Sequence, residues 1–281
     1  MITVLHPGIY STVQDLGRKG FADNGVPISG VMDSYSAKIG NQLLCNKSDD
    51  AVVEITFGGA KFQFEKETNI CVSGANFNPM IDSELISMHK VVKVKEGSIL
   101  TFNKRENGVR TYLCVQGGIQ SEVVLKSRSY YKGITSSSVL KKGDKLFVNT
   151  NLSEAQITNA KIKLEVEHFT SKVIHCLKGP EFDLLTKNEQ EKLLHKTFTV
   201  SKNNNRMGYQ LDELLENQLE SILTSGVLPG TVQLTPSGKL IVLMRDCQVT
   251  GGYPRVLQVT EEGINRLSQK TTGDKLIFSI K

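Results

Sequence analysis

From Val53 onward the chain is a succession of short apolar runs separated by turn residues. Val53, Ile55 and Phe57 alternate with Glu54 and Thr56, and Phe62 and Phe64 follow Gly58-Gly59. Ile70–Val72, Val91–Val94, Ile99–Phe102, Tyr112–Val115 and Leu146–Val148 repeat the form. In the second half Ile162, Leu164 and Val166 alternate with Lys163, Glu165 and Glu167. Val173–Leu177, Phe198–Val200, Val232–Leu234, Leu240–Met244, Val256–Val259 and Leu276–Ile280 then continue the series. Runs this short and closely spaced predict a mainly β chain, a barrel or sandwich, and leave no room for βαβ crossovers.

Helices are few and short. Asp33, with Tyr35, Ile39 and Leu43 behind it at helical spacing, predicts an N-cap, and Asn46 predicts a left-handed end. The free N–H groups of that helix start make either a docking point for an anion or carbonyl, or simply a capped terminus. Thr186 with Glu189 three residues later forms a capping-box start for Asn188–His195, and Thr260 caps Glu261–Leu267.

At 281 residues the chain exceeds a typical single domain. Gly97-Ser-Ile-Leu-Thr-Phe, Gly143-Asp-Lys-Leu-Phe-Val and Gly273-Asp-Lys-Leu-Ile-Phe share a turn-then-strand form, and Thr12-Val13-Gln14 is echoed by Thr231-Val232-Gln233. These echoes suggest two related halves. The polar stretch Asn149–Asn159 is the expected linker, which gives domains 1–155 and 156–281.

With 39% apolar and 22% charged residues the composition is that of a globular chain with a sizeable core. The net charge of +5 is small, and its Lys and Arg are interspersed with acids, which argues against nucleic-acid binding. No charged-then-apolar leader and no membrane-length run is present, so no membrane association is expected. The five cysteines, 45, 71, 114, 176 and 247, are widely spaced and mostly flanked by apolar residues. They read as buried thiols of a reducing, cytoplasmic compartment. The five histidines lack metal-ligand spacing, so no metal site is expected; His168 and His175 fall near strand ends in structural or solvated roles.

Polar residues concentrate in three places. Gly8–Leu44 packs Thr-Val-Gln-Asp-Leu-Gly-Arg and five further glycines into one segment, loop material that runs over a surface. Arg245–Arg255, RDCQVTGGYPR, follows an apolar run, so Asp246 emerges at a strand end and Gly251-Gly252 permits close backbone approach. That loop reads equally as a ligand site or as a plain Gly-Gly hairpin turn. Asn203–Tyr209 is Asn-rich turn material carrying Arg206. No phosphate-binding loop, dinucleotide fingerprint or nucleophile elbow occurs.

Thr12–Gly20 and Gly25–Asp33 together resemble the pattern T-V-Q-D-x-G-R-x-G, then G-V-P-x-S-G-x-M-D, of the biotin-dependent carboxyltransferase family. That family includes the C-type component of 5-oxoprolinase, allophanate hydrolase subunit 2 and the antagonist of a sporulation-kinase inhibitor. Further matches stand in family order: Gly117-Gly118-Ile119, Ser127-Arg128-Ser129, Asn205–Tyr209, Ser225-Gly226-Val227 and Thr250-Gly251-Gly252-Tyr253-Pro254. They span nearly the whole chain.

The resemblance implies two cyclophilin-like β-barrel domains, with the T-G-G-Y loop at a cleft between them. It implies a subunit of an ATP-dependent 5-oxoprolinase, working with B-like and A-like subunits of the same enzyme. Asp33 and Asp246 are then the candidate catalytic carboxylates. Gln14, Arg128, Arg206, Tyr209, Thr250, Gly251, Gly252, Tyr253 and Arg255 are the candidate substrate-binding residues. ATP is implied by the family alone, and no Met-Lys biotin attachment site is present. Two alternatives remain: a regulatory protein that sequesters a B-like kinase inhibitor, and a carboxyltransferase acting on a urea-like amide. The chain departs from the family at Lys126, Tyr130, Ile134–Val139 and Val249, where the pattern has glycine, threonine, a glycine-rich loop with arginine, and a second threonine.

Overall fold

A computed structural model describes residues 1–149, 162 and 164–281. The chain divides into two units, Met1–Arg18 with Ser29–Phe169, and Lys19–Ile28 with Thr170–Lys281. The boundary expected at 155/156, and the expected linker beyond Asn149, lie outside the described residues. Among the described residues the fold is mainly β with four short α-helices, as the run pattern predicts: α1 (Ser34–Leu43), α2 (Glu167–Thr170), α3 (Lys187–His195) and α4 (Glu261–Ser268).

In the first unit the antiparallel ladders form two sheets. One runs Lys145–Leu146, Ile2–Pro7, Ala60–Phe64, Ile99–Thr101, Met80–Ile81, Glu84–Leu85; the other runs Tyr10–Gln14, Val52–Thr56, Arg110–Val115, Thr68–Gly74, Val91–Val94. Both sheets enclose one core that contains Val4, Phe62, Phe64, Val53, Ile55, Val72, Leu113 and Val115. The strand period of two sends the intervening residues Val52, Cys71, Tyr112 and Cys114 to the opposite face. There they pack with Ala37, Ile39 and Leu43 of α1. The five-stranded sheet is therefore buried on both sides, which is why even Glu54 is covered.

The second unit is a closed barrel of seven strands: Val173–Lys178, Arg255–Val259, Thr231–Leu234, Leu240–Leu243, Gly208–Leu211, Phe198–Asn204, Lys275–Ile280. Its closing pair, Val173–Lys178 on Lys275–Ile280, is parallel and the remaining pairs are antiparallel. Closure leaves no exposed sheet edge in the barrel. A short ladder pairs Ser225–Gly226 with Thr250–Gly251.

The predicted caps form. Asp33 accepts from Ser36 N, Thr186 and Glu189 make a reciprocal capping box, and Thr260 accepts from Gly263 N. Three local expectations fail. The left-handed residue after α1 is Cys45 (φ +56°), while the Asn46 amide donates to Asn41 Oδ1 and Val115 O. Tyr35 is exposed, not part of the buried face of α1. The alternation at Ile162, Leu164 and Val166 makes no strand among the described residues. Leu164 is buried beside α1, Ile162 is partly buried against the same cluster and Val166 is exposed at the turn into α2, so the alternation does not mark one buried face.

Candidate functional site

The Thr-Val-Gln-Asp run ends the strand Tyr10–Gln14, and Asp15 follows it directly. Its Oδ1 accepts from Gly17 N (2.7 Å), Ser127 Oγ (2.7 Å) and Ser129 Oγ (2.6 Å), and its Oδ2 from Arg128 N (2.6 Å). Arg18, fully buried, donates to Ser129 O. The Q-D-x-G-R and S-R-S motifs are thus one constellation, with a carboxylate as its hub. Arg128 Nη2 donates to Gln120 Oε1 (2.6 Å) and Nη1 to Ser121 O, which fixes its guanidinium plane. Gln14 Nε2 donates to Thr12 Oγ1 and Tyr130 O, while its Oε1, buried, meets no donor among the described residues.

Asp33 is wholly buried. Its Oδ2 accepts from Ser36 Oγ at 2.6 Å and lies 2.8 Å from His168 Nε2. Its carboxylate therefore occupies the start of α1 where an anion docking point had been conceivable. Its N–H donates to the Tyr112 hydroxyl, which donates in turn to Glu54 Oε2. Burial, with Glu54 and Asp33 beside it, holds the Tyr112 phenol well above its usual range, so it remains a neutral donor. His168 sits between the rings of Tyr35 and Phe169, with centroids 5.3 and 5.0 Å away. It is a buried residue of α2, so of the two roles expected for it, structural or solvated, it has the structural one.

In the second unit Asp246 and Arg206 form a buried bidentate pair, Nε to Oδ2 at 2.7 Å and Nη2 to Oδ1 at 3.0 Å. Asp246 N also donates to Arg206 O, so the Asn203–Tyr209 turn is clamped to the exit of Leu240–Leu243. Tyr209 lies fully inside and donates its hydroxyl to Lys270 O. Arg255 pairs with Glu181 through Nε (3.0 Å) and Nη2 (2.8 Å), and its Nη1 donates to Gly226 O. That pairing holds the Glu181 carboxyl below its usual range. Thr250 is exposed, Gly252 O accepts from Ile222 N, and Tyr253 is partly exposed.

The structure thus joins Arg206 with Asp246, and Gln14 with the loop of Arg128. Arg255 reaches the Thr250–Gly251 ladder through Gly226. Asp33 and Asp246 belong to different units. Sequence reasoning gave no functional-site role to Asp15, Arg18, Ser129, His168, Glu181 or Gln233. Of these, Asp15, Arg18 and Ser129 stand inside matched motifs, the signal that singles them out.

Among the described residues no cluster of three His, Cys, Asp or Glu side chains could hold a metal. Gly117, Gly118 and Gly251 do not fit nucleotide phosphates, because each closes on its own chain. A Cβ on Gly117 would lie 2.4 Å from Asn149 O, one on Gly118 2.9 Å from Asp50 Cβ, and one on Gly251 2.4 Å from Gln233 Nε2.

Residues 24–280 match the model of the carboxyltransferase domain, subdomain A and B. The chain is 32% identical to the C subunit of 5-oxoprolinase from Haemophilus influenzae over 99% of its own length and 90% of that protein's. It is 31% identical to the C subunit of 5-oxoprolinase from Escherichia coli with the same coverage. The crystal structure of the K. lactis urea amidolyase superposes with a TM-score of 0.86 at 28% identity, covering 99% of this chain and 18% of that one. No helix among the described residues is long and apolar enough to cross a membrane. Motifs, fold and matched length agree, and this chain belongs to the biotin-dependent carboxyltransferase family, with both subdomains A and B.

Proposed function

We propose that this chain is a cytoplasmic subunit of an ATP-dependent 5-oxoprolinase, which opens the lactam of 5-oxo-L-proline to L-glutamate. The observation that carries this is the near end-to-end similarity to two proteins named as the C subunit of 5-oxoprolinase. A relative that matched only one unit would have supported a shared fold and little more.

Amide hydrolysis at neutral pH needs activation of a stable carbonyl, which ATP supplies when bound. Gly117, Gly118 and Gly251 do not fit phosphates and the sequence has no phosphate-binding loop, so we assign ATP to the A-like and B-like partner proteins. This chain's part is binding and orientation. Glu181 fixes the plane of Arg255, whose Nη1 and Nη2 each keep a further N–H for a ligand oxygen. Asp246 fixes Arg206 in the same way, and Asp33 holds the His168 ring. Guanidinium groups held in advance are suited to stabilising negative oxygen as the amide carbon becomes tetrahedral.

The likeness to urea amidolyase favours a second reading, carboxyl transfer to a urea-like amide. Co-purification with candidate B-like and A-like proteins, then assay of ATP-dependent glutamate release from 5-oxoproline, decides between them. Glutamate release that requires every component supports the oxoprolinase. Turnover of urea instead supports the transferase, and tight binding of a B-like protein without turnover supports a regulatory antagonist.

A further inference from the structure

The strand Thr231–Leu234 is buried along its whole length, so a polar side chain within it needs partners. Gln233 does not find them. It is 2% exposed, and its Nε2 meets no acceptor among the described residues. An apolar side chain of similar volume would fill this place without leaving an amide N–H unmatched.

Its surroundings are built around the amide. A Cβ on Gly251 would fall 2.4 Å from Gln233 Nε2 and 3.4 Å from Val227 Cγ1, so only glycine leaves room for the Gln233 side chain where it lies. Gln233 is also the direct ladder partner of Arg255, which puts their side chains on one face. The Arg255 guanidinium donates to Gly226 O, and Gly226 pairs with Thr250, next to Gly251. Within one unit, then, the Gln233 amide lies against Gly251, and the guanidinium of its ladder partner Arg255 reaches Gly226 on the strand paired with Thr250–Gly251. Glu181 pairs with Arg255 and holds its guanidinium in place on this side of the ladder.

We propose that Gln233 recognises the carbonyl oxygen of a small amide ligand, its Nε2–H donating to that oxygen beside Arg255. This rests on the oxoprolinase reading and deepens it: the carbonyl is that of the lactam. Gln233 is a specificity residue in this proposal, and it does no chemistry itself.

Q233L tests it in two ways. The isolated variant should melt no lower than wild type, because it removes an unmatched donor. In the reconstituted complex it should raise KM for 5-oxoproline about tenfold, the worth of one hydrogen bond, with kcat changed less. An unchanged KM overturns the proposal. Should Q233L fold poorly, the wild-type chain labelled with 15N-glutamine is titrated with 2-pyrrolidinone and with proline. Movement of one side-chain amide signal with the lactam but not with proline, which lacks the ring carbonyl, supports the assignment, and equal behaviour overturns it. A wild-type complex that releases no glutamate removes the substrate reading; the 2-pyrrolidinone titration then decides Gln233 independently.

Discussion

Asp15 and Ser129 stand 114 residues apart and hold each other twice. The Asp15 N–H donates to Ser129 Oγ at 3.0 Å, and Ser129 Oγ donates to Asp15 Oδ1 at 2.6 Å. With Ser127 Oγ and the Gly17 and Arg128 amides also on the carboxylate, one side chain fixes the loop that carries Arg128. The S-R-S motif therefore presents its arginine through its two serines.

Asp15→Ala should consequently damage stability and function together. It strands two hydroxyls and two amide N–H groups in a largely buried place, at a cost of about 3 kcal/mol. Urea unfolding should show the midpoint falling at constant m-value. Arg128→Ala, which leaves the hub intact, should cost under about 1 kcal/mol beyond its lost packing. Equal destabilisation by the two variants would contradict the assignment of Asp15 as the hub.

Lys126 stands where the family pattern has glycine, and its φ is +62°, with Leu125 before it at +51°. A left-handed conformation at a non-glycine residue costs roughly 1–2 kcal/mol, offset in part by the greater freedom glycine has when unfolded. Lys126→Gly is expected to stabilise the chain by about 0.5–1 kcal/mol. Thermal unfolding of the two proteins, compared at one pH, measures this directly.

The thiols divide sharply. Burial pushes Cys71 and Cys247 up to about 12 and Cys176 to about 11, and it pushes Cys114 well above its usual range. Only the thiolate is a good nucleophile, so all four should be inert at neutral pH. Cys45 is exposed. Titration of the native protein with a thiol-specific chromophore should therefore give one fast equivalent, lost in Cys45→Ser. Fast labelling of any of the other four in the folded chain would point to an activated cysteine.

The Glu181–Arg255 pair gives acid sensitivity of defined sign. The folded carboxyl lies below its ordinary range, so the folded state binds its proton less readily than the unfolded one. Its stabilisation is present above about pH 4.3, the unfolded value, and disappears as pH falls through the lower folded value. Wild type should lose stability faster than Glu181→Gln on acidification through that window, and the two curves should run parallel above it. A Glu181→Gln curve as steep as wild type would place the acid sensitivity elsewhere.

What could be read from the sequence was what is decided locally. Asp33, Thr186 and Thr260 cap helices because their oxygens bond N–H groups three residues on, and those residues are adjacent in the sequence. The strands were legible for the same reason, although the doubly buried sheet hid Glu54 behind an alternation that looked half exposed. Distant pairings left no such trace. Nothing near His168 announces Asp33, 135 residues away, and nothing near Gln233 shows that Gly251 makes room for its amide. At Ile162, Leu164 and Val166 the alternation is present with no strand formed among the described residues, and periodicity alone does not distinguish those cases.

Arg206 and Asp246 allow structure and chemistry to be separated. Both side chains are largely buried and joined by two charged hydrogen bonds, so removing either strands the other. Arg206→Met or Asp246→Leu alone should cost about 3–5 kcal/mol, whereas the double replacement should cost clearly less than their sum. That coupling measures the clamp. Asp246→Asn keeps the shape and most of the hydrogen-bonding capacity but cannot accept a proton as a carboxylate does. If Asp246 only positions Arg206, the assembled complex with Asp246→Asn should keep its activity within about tenfold and be affected mainly in KM. If it moves protons in the reaction, kcat should fall by about a hundredfold or more while the folded fraction stays near that of wild type. Steady-state kinetics alongside urea unfolding of the same preparations distinguish the two outcomes, and the second would make Asp246 a catalytic residue.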